Sequence, residues 1–294
     1  MGNDDEATPA SGMAAAKALL AFVPPATLIT GLLFYFGWAR TYAQASALGA
    51  DASLFGYSTR DYMLRSVDSL FFPMMAFIAV GLLVMLGHAW IRARLASRPA
   101  GARDPLLVRC GTVLMVVGFA IVLFGGLYAA GRLGRGRLRD LLGPLALGAG
   151  VLISAYGGWL RSHAREATRP GSPGPAWTGP VAAGLLLSIA ALSMFWAVGN
   201  YATWRGQDLA ITIAETYRTR PMVVIYSAQS LALEGVQQAA LSEPDAAYKW
   251  RYSGLRLLDR VGTTYFLMPE DWASHPRLIL LTETAGMRFE FTAG

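Results

Sequence analysis

Long apolar runs alternate with short polar, mostly basic, segments over the first two thirds of the chain. The clearest run is PVAAGLLLSIAALSMFWAVGN, from Pro180 to Asn200, which contains no Asp, Glu, Lys, Arg or His. About 20 mostly apolar residues suffice for a helix to cross a bilayer. On that measure five spans are predicted, over residues 18–38, 70–90, 110–130, 141–160 and 180–200. Trp and Tyr favour the headgroup level. Trp38, Trp90, Trp159, Trp177, Trp196, Tyr201 and Trp204 stand near the ends of these runs and form the expected interface belt. After residue 205 no long apolar run returns. The predicted fold class is an α-helical membrane bundle of five transmembrane helices, residues 18–204, followed by a small soluble α+β domain, residues 205–294. Residues 1–17, small and acidic, read as a disordered N-terminus.

Two runs carry a face of small residues. Gly111, Gly118 and Gly125 recur every seven positions and share one helix face. Ala146, Gly150, Ser154 and Gly158 form a small-xxx-small ladder on the next run. Such faces let two helices approach closely in a membrane, so these seven residues are predicted to form a tight seam.

The connections differ in character. Arg40 to Ser69 mixes small, aromatic and charged residues. Asp51 reads as a cap or turn residue, and Ser58-Thr59 ahead of Asp61 as a helix start. Arg40, Arg60 and Arg65 are placed to pair with Asp51, Asp61 and Asp68 across this loop. Pro24-Pro25 reads as a bend near the start of the first span. The acidic Asp4, Asp5 and Glu6 and the long first run read as a retained signal anchor.

Beyond Gly206 a short helix is expected over 207–217, ended by Pro221. Strands are expected over 222–226, 230–233, 248–252, 255–260 and 265–268, with a Gly262-Thr263 hairpin before the last of these. Residues 277–282 and 287–291 are expected to pair around 284–286. The region has its own strands and charge balance and is expected to fold independently.

Composition agrees with this division. The 294 residues are 54% hydrophobic and 15% charged, against roughly 25% charged in ordinary soluble domains. The net charge of +6 is spread as Arg through the loops between apolar runs. That placement serves membrane orientation and makes no clustered basic face, so nucleic acid is excluded as a partner. The near absence of Lys, with abundant Ala and Gly, points to a high-GC bacterial source. Cys110 is the single cysteine, which excludes an intramolecular disulfide. Basic residues on the two sides nearly balance. Arg92 and Arg94, directly after the second span, favour a cytoplasmic N-terminus and an extracytoplasmic C-terminal domain.

The segments YFGWARTYAQASALGADASLFGYSTRDYMLRS, VVIYSAQSLAL and KWRYSGLRLLDRVGTTYFLMPEDW resemble those of uncharacterised actinobacterial multi-pass integral membrane proteins. The resemblance covers most of the chain. It implies a comparable membrane region joined to a C-terminal strand-rich domain, and no activity, so it adds no catalytic residue.

Candidate chemistry is sparse. The spans hold no mid-membrane Asp, Glu, Lys or Arg, which argues against a proton-coupled carrier. Gly131-x-x-Gly134-x-Gly136 follows a membrane helix and lacks the GKS/T ending of a phosphate loop. Glu270, Asp271 and His275 read as a turn after Pro269. His88 reads as an interface histidine, since His163 and His275 stand at no ligand spacing with it. No catalytic, metal or cofactor residue is therefore assigned. The expected function is a membrane-anchored interaction or sensory module whose soluble domain meets a protein partner. The alternatives are a homo-oligomeric channel or transport component, and a membrane-bound enzyme. The lipid bilayer is the one partner common to all three.

Overall fold

The computed structural model describes residues 9–96, 105–132, 136–166, 180–242 and 247–293. Five long helices come first: α1 (Pro9–Ala47), α2 (Thr59–Ala96), α3 (Pro105–Ala129), α4 (Arg137–Glu166) and α5 (Pro180–Thr216). Six strands follow: β1 (Met222–Ser227), β2 (Gln237–Ala240), β3 (Trp250–Val261), β4 (Thr264–Pro269), β5 (Ile279–Thr282) and β6 (Met287–Thr292). The chain divides into two compact units, one of residues 1–67 with 203–294 and one of residues 68–202.

Local chemistry closes α1 and α3 and opens α2. Gly49, at φ +75°, closes α1. Ala50 N–H donates to Ala45 O at 2.9 Å and Gly49 N–H to Ser46 O at 3.1 Å, the paired bonds of a Schellman cap. Gly131, at φ +76°, closes α3 in the same way, with Arg132 N–H on Leu127 O and Gly131 N–H on Tyr128 O. That glycine-rich stretch therefore contains a helix cap. Asp51 caps a single 3-10 turn, Ala52–Phe55, by accepting from Ser53 N–H at 2.8 Å. α2 opens on a capping box: Asp61 accepts from Ser58 N–H at 2.8 Å, and Ser58 Oγ accepts from Asp61 N–H at 3.3 Å.

In the first unit α1, the start of α2 and the end of α5 pack closely because two glycines lack side chains. A Cβ on Gly37 would collide with the Tyr62 carbonyl, and one on Gly206 with the Arg40 carbonyl. The expected separate helix over 207–217 is the continuation of α5, which runs unbroken to Thr216 and reaches β1 through one 3-10 turn, Tyr217–Thr219. No Pro interrupts this stretch before Pro221, so the ladder continues past the apolar segment.

The sheet is antiparallel in the order β5-β4-β3-β1-β6, with β2 also paired to β3. The two strands expected over 248–260 are one twelve-residue strand, β3. Gly254, at φ +80°, lies where its edge passes from β2 to β4. Gly262-Thr263 forms the β3–β4 hairpin, with Gly262 at φ +58° in the first central position. Residues 230–233 are not a strand; β2 starts at Gln237 instead, after Ala232 at φ 47°. β5 and β6 do not pair with each other but close opposite ends of the strand order. The sheet curls, bringing Tyr265 of β4 onto Phe289 of β6 with ring centroids 4.2 Å apart.

β4 is buried on both faces. Tyr265 and Leu267 join Val223, Ile225, Tyr252 and Leu255 inside the curl. Phe266 and Met268 point the other way. Phe266 stacks on Phe55 at 4.3 Å and clusters with Ala45 and Ala52. Met268 clusters with Leu48, Ala210, Ile213, Tyr217 and Trp272. The domain boundary expected at 205 thus omits residues 45–57, which supply part of the sheet's own core.

In the second unit α3 and α4 form a close hairpin. A Cβ built on Gly118 would lie 2.6 Å from Ser154 N and 2.7 Å from Gly150 O; one on Gly125 would lie 2.9 Å from the Ala146 Cβ. A Cβ built on Gly111 would lie 2.7 Å from the Gly157 carbonyl oxygen. Gly157 was not in the sequence ladder, which ran on to Gly158. Each i+4 step drifts by about 40° around a helix of 3.6 residues per turn, which brings Gly157, three residues after Ser154, onto the face that meets Gly111. Gly148 of α4 meets Ser193 of α5, 3.1 Å from a built Cβ.

Candidate functional site

Among the described residues four helices are long and apolar enough to cross a membrane, spanning 59–94, 107–129, 137–162 and 182–219. In the most apolar stretch of 59–94 no residue is buried by protein. The side chains of 9–25, which include residues 18–25 of the expected first span, lie outside the described residues.

The belt residues fall as follows. Trp38 is exposed and stacks on Tyr42 at 5.4 Å. Trp90 is exposed beneath the Arg94 guanidinium, 4.9 Å from its ring centroid. Trp159 lies 5.2 Å from the His88 ring and 5.6 Å from Tyr156, whose hydroxyl is 3.2 Å from His88 Nδ1. Trp196 is exposed, and Tyr201 stacks on Phe72. Trp204 is half-buried, and Trp177 lies outside the described residues.

The most connected polar cluster joins the sheet to helix ends within the first unit, and the sequence reading missed its centre, Asp259. β3 and β4 shift register between Leu257 and Asp259. A bulge of this kind re-aims a side chain, and here Asp259 meets the loop before α2. Tyr57 Oη donates to Asp259 Oδ2 at 2.6 Å, and Arg65 Nη2 donates to the same oxygen at 2.7 Å. The Arg65 guanidinium also lies 4.1 Å above the Tyr57 ring. Arg40 Nη1 of α1 donates to the Arg65 carbonyl at 3.3 Å. Arg65 was expected to pair within its own loop; its acid instead comes from residue 259, which only folding brings near.

Arg220, just before β1, donates through Nη1 to Leu258 O at 3.0 Å. Arg256 Nη1 in turn donates to Arg220 O at 2.8 Å. Burial lowers the Arg220 pKa from its ordinary value, and nearby Asp259 opposes that shift. Burial, then the bond to Asp259, pushes the Tyr57 phenol far above its ordinary value, so it is a fixed donor. Thr41, Gln44, Tyr57, Arg220 and Asp259 line a cavity of about 50 Å³. That volume accommodates water but falls well short of the roughly 300 Å³ of small-molecule sites.

A second polar group sits on the sheet. Arg277 grips Asp271 with two bonds, Nη1 to Oδ2 at 3.1 Å and Nη2 to Oδ1 at 3.0 Å. His275 Nδ1 is 3.8 Å from Asp271 Oδ2. Trp272 N–H donates to Pro269 O, and Ser274 and His275 N–H to Asp271 O, so 270–275 is a hydrogen-bonded turn. Among the described residues no three His, Cys, Asp or Glu side chains gather in metal-binding geometry. No family model, curated protein or solved structure matches this chain.

Proposed function

We propose that this protein crosses the membrane five times and acts as an interaction or sensory module, in which the sheet domain receives a protein partner and passes its state to the helix ends. The observation that carries this reading is the double burial of β4 together with the Asp259 cluster. Tyr265 and Leu267 belong to the sheet's interior, while Phe266 and Met268 pack on residues of α1, the 3-10 turn and α5. A partner that shifts β4 or β3 therefore acts directly on the ends of three helices.

The topology supports the same reading. Four crossings, α2 to α5, return the chain to the side from which α2 starts. The start of α2 and the end of α5 lie in one unit with the sheet. A fifth crossing by α1 places the N-terminus on the opposite face. Basic residues after the second span favour that face being cytoplasmic. The resemblance to actinobacterial multi-pass proteins favours a bacterial cell membrane.

Hydrogen exchange of the full chain in lipid nanodiscs tests the coupling. Asp259→Ala is expected to speed exchange in the last turns of α1 and the first turns of α2, beyond the sheet itself. Exchange changed only within the sheet would overturn the reading. Ion flux through proteoliposomes would replace it with the channel alternative.

A further inference from the structure

The outer edge of β6 is six residues long, free of Pro and Lys, and unbroken in register with β1 from Met287 to Thr292. Among the described residues no strand pairs with that edge. Proteins usually blunt exposed edges with short strands, charged side chains, Pro or bulges. β5 and β2, at four residues each, fit that practice; β6 is longer, and its two charges, Arg288 and Glu290, are of opposite sign and so do not repel a second copy of the same strand.

Which groups face outward follows from the ladder. Ala228 N–H donates to Gly286 O at 3.0 Å, and the two positions are opposite in the β1–β6 register. Hydrogen-bonded pairs alternate in an antiparallel ladder. Residues 286, 288, 290 and 292 therefore bond to β1, while Met287, Phe289 and Phe291 turn their main-chain groups outward. Met287 N–H is already taken by Thr284 O. The N–H of Phe289 and Phe291 and the C=O of Met287 and Phe289 remain for a neighbour.

We propose that β6 pairs with β6 of a second copy, antiparallel and centred on Phe289. That register makes Phe289 a hydrogen-bonded pair with itself and lets Phe291 N–H donate to the second copy's Met287 C=O. It sets Arg288 opposite the second copy's Glu290, and Glu290 opposite its Arg288, in positions where side chains approach most closely. It also sets Met287 opposite Phe291, whose ring is half exposed in the single chain. The strand sequence MRFEFT is thus complementary to itself in charge and in apolar pattern about one residue, and the outward groups fall in the right phase. The four-residue β5 edge, ILLT, has no charge to match. Arg288 and Glu290 of one chain already contact each other at 2.6 Å on the same face, so the two copies bring together an alternating four-charge row.

The full chain in detergent, weighed by light scattering across a dilution series, tests this. A dimer is expected. Arg288→Glu is expected to weaken association about tenfold by turning two attractive cross-strand pairs into repulsive ones. The double exchange Arg288→Glu with Glu290→Arg is expected to restore it. In a Cys110→Ser background, Phe289→Cys is expected to give an oxidised covalent dimer and Leu280→Cys, on β5, none. A monomer at all concentrations, a dimer indifferent to Arg288→Glu, or cross-linking at Leu280 alone would each overturn the proposal.

Discussion

Tyr57, Arg65 and Asp259 share one carboxylate oxygen, and the side chains of Arg65 and Asp259 are only 26% and 30% exposed. Removing the acid leaves a phenol and a guanidinium with a lost acceptor. Asp259→Ala is expected to cost on the order of 1–3 kcal/mol, read as a lower thermal midpoint of the first unit. Asp259→Asn keeps an oxygen for Tyr57 and is expected to lie between the two. An unchanged midpoint in the alanine variant would show that solvent replaces the bonds without loss. The phenol also sets a pH dependence. Its folded pKa is raised above the ordinary value of 10.0. The folded state then holds the proton more tightly than the unfolded chain, and the stabilisation is complete below that ordinary value. It is lost progressively as pH rises beyond it. Tyr57→Phe should remove that alkaline component, so the stability difference between wild type and variant should narrow in strongly alkaline buffer. A constant difference across neutral and alkaline pH would contradict the assignment.

The α3–α4 hairpin is an element whose geometry depends on absent side chains. Gly118 and Gly150 each present main chain to the other helix at distances a Cβ cannot share. Overpacking of this kind costs about 1–3 kcal/mol. Gly150→Leu is expected to separate the helices and lower the melting temperature in detergent, while Gly81→Leu, which meets nothing within 4 Å, leaves it unchanged. Equal melting of the two variants would mean that the seam is not needed for stability. The same reasoning applies to Gly37 and Gly206, where α1 touches α2 and α5 in the first unit. Neither belongs to a repeated small-residue pattern, so periodicity could not single them out.

At the scale of the whole molecule the sheet depends on residues far away in sequence. An isolated fragment of residues 206–294 lacks Leu48, Ala52 and Phe55 and exposes the faces of Phe266 and Met268 that pack on them. Its amide spectrum is expected to be poorly dispersed, and addition of residues 36–57 to sharpen it. A well-dispersed spectrum from the bare fragment would show that the sheet completes its core alone. Orientation is tested by protease added to intact cells: an epitope tag after Gly294 should be removed under the proposed topology. A tag protected until the membrane is opened would place the sheet in the cytoplasm.

The apolar runs, the caps at Asp51 and Ser58, the hairpin at Gly262 and the seven-residue glycine repeat were all legible in the sequence. Each is local, because a helix face, a turn or a cap is written within a few consecutive residues. Strand existence was legible for β1 and β4 for the same reason. Strand partners were not. Adjacent β5 and β6 read as a hairpin, yet β5 pairs with β4 and β6 with β1, at opposite ends of the strand order. The helix over 207–217 was legible, but its continuity with the apolar part of α5 was not, since no residue pattern marks where one helix runs on into the next. Asp259 looked like one more charge in a strand. A bulge turned it, and the packing of β4 against residues 45–57 brought it to Tyr57 and Arg65. That meeting across some two hundred residues is a property of the tertiary structure, because no pattern within one segment records what another segment will bury.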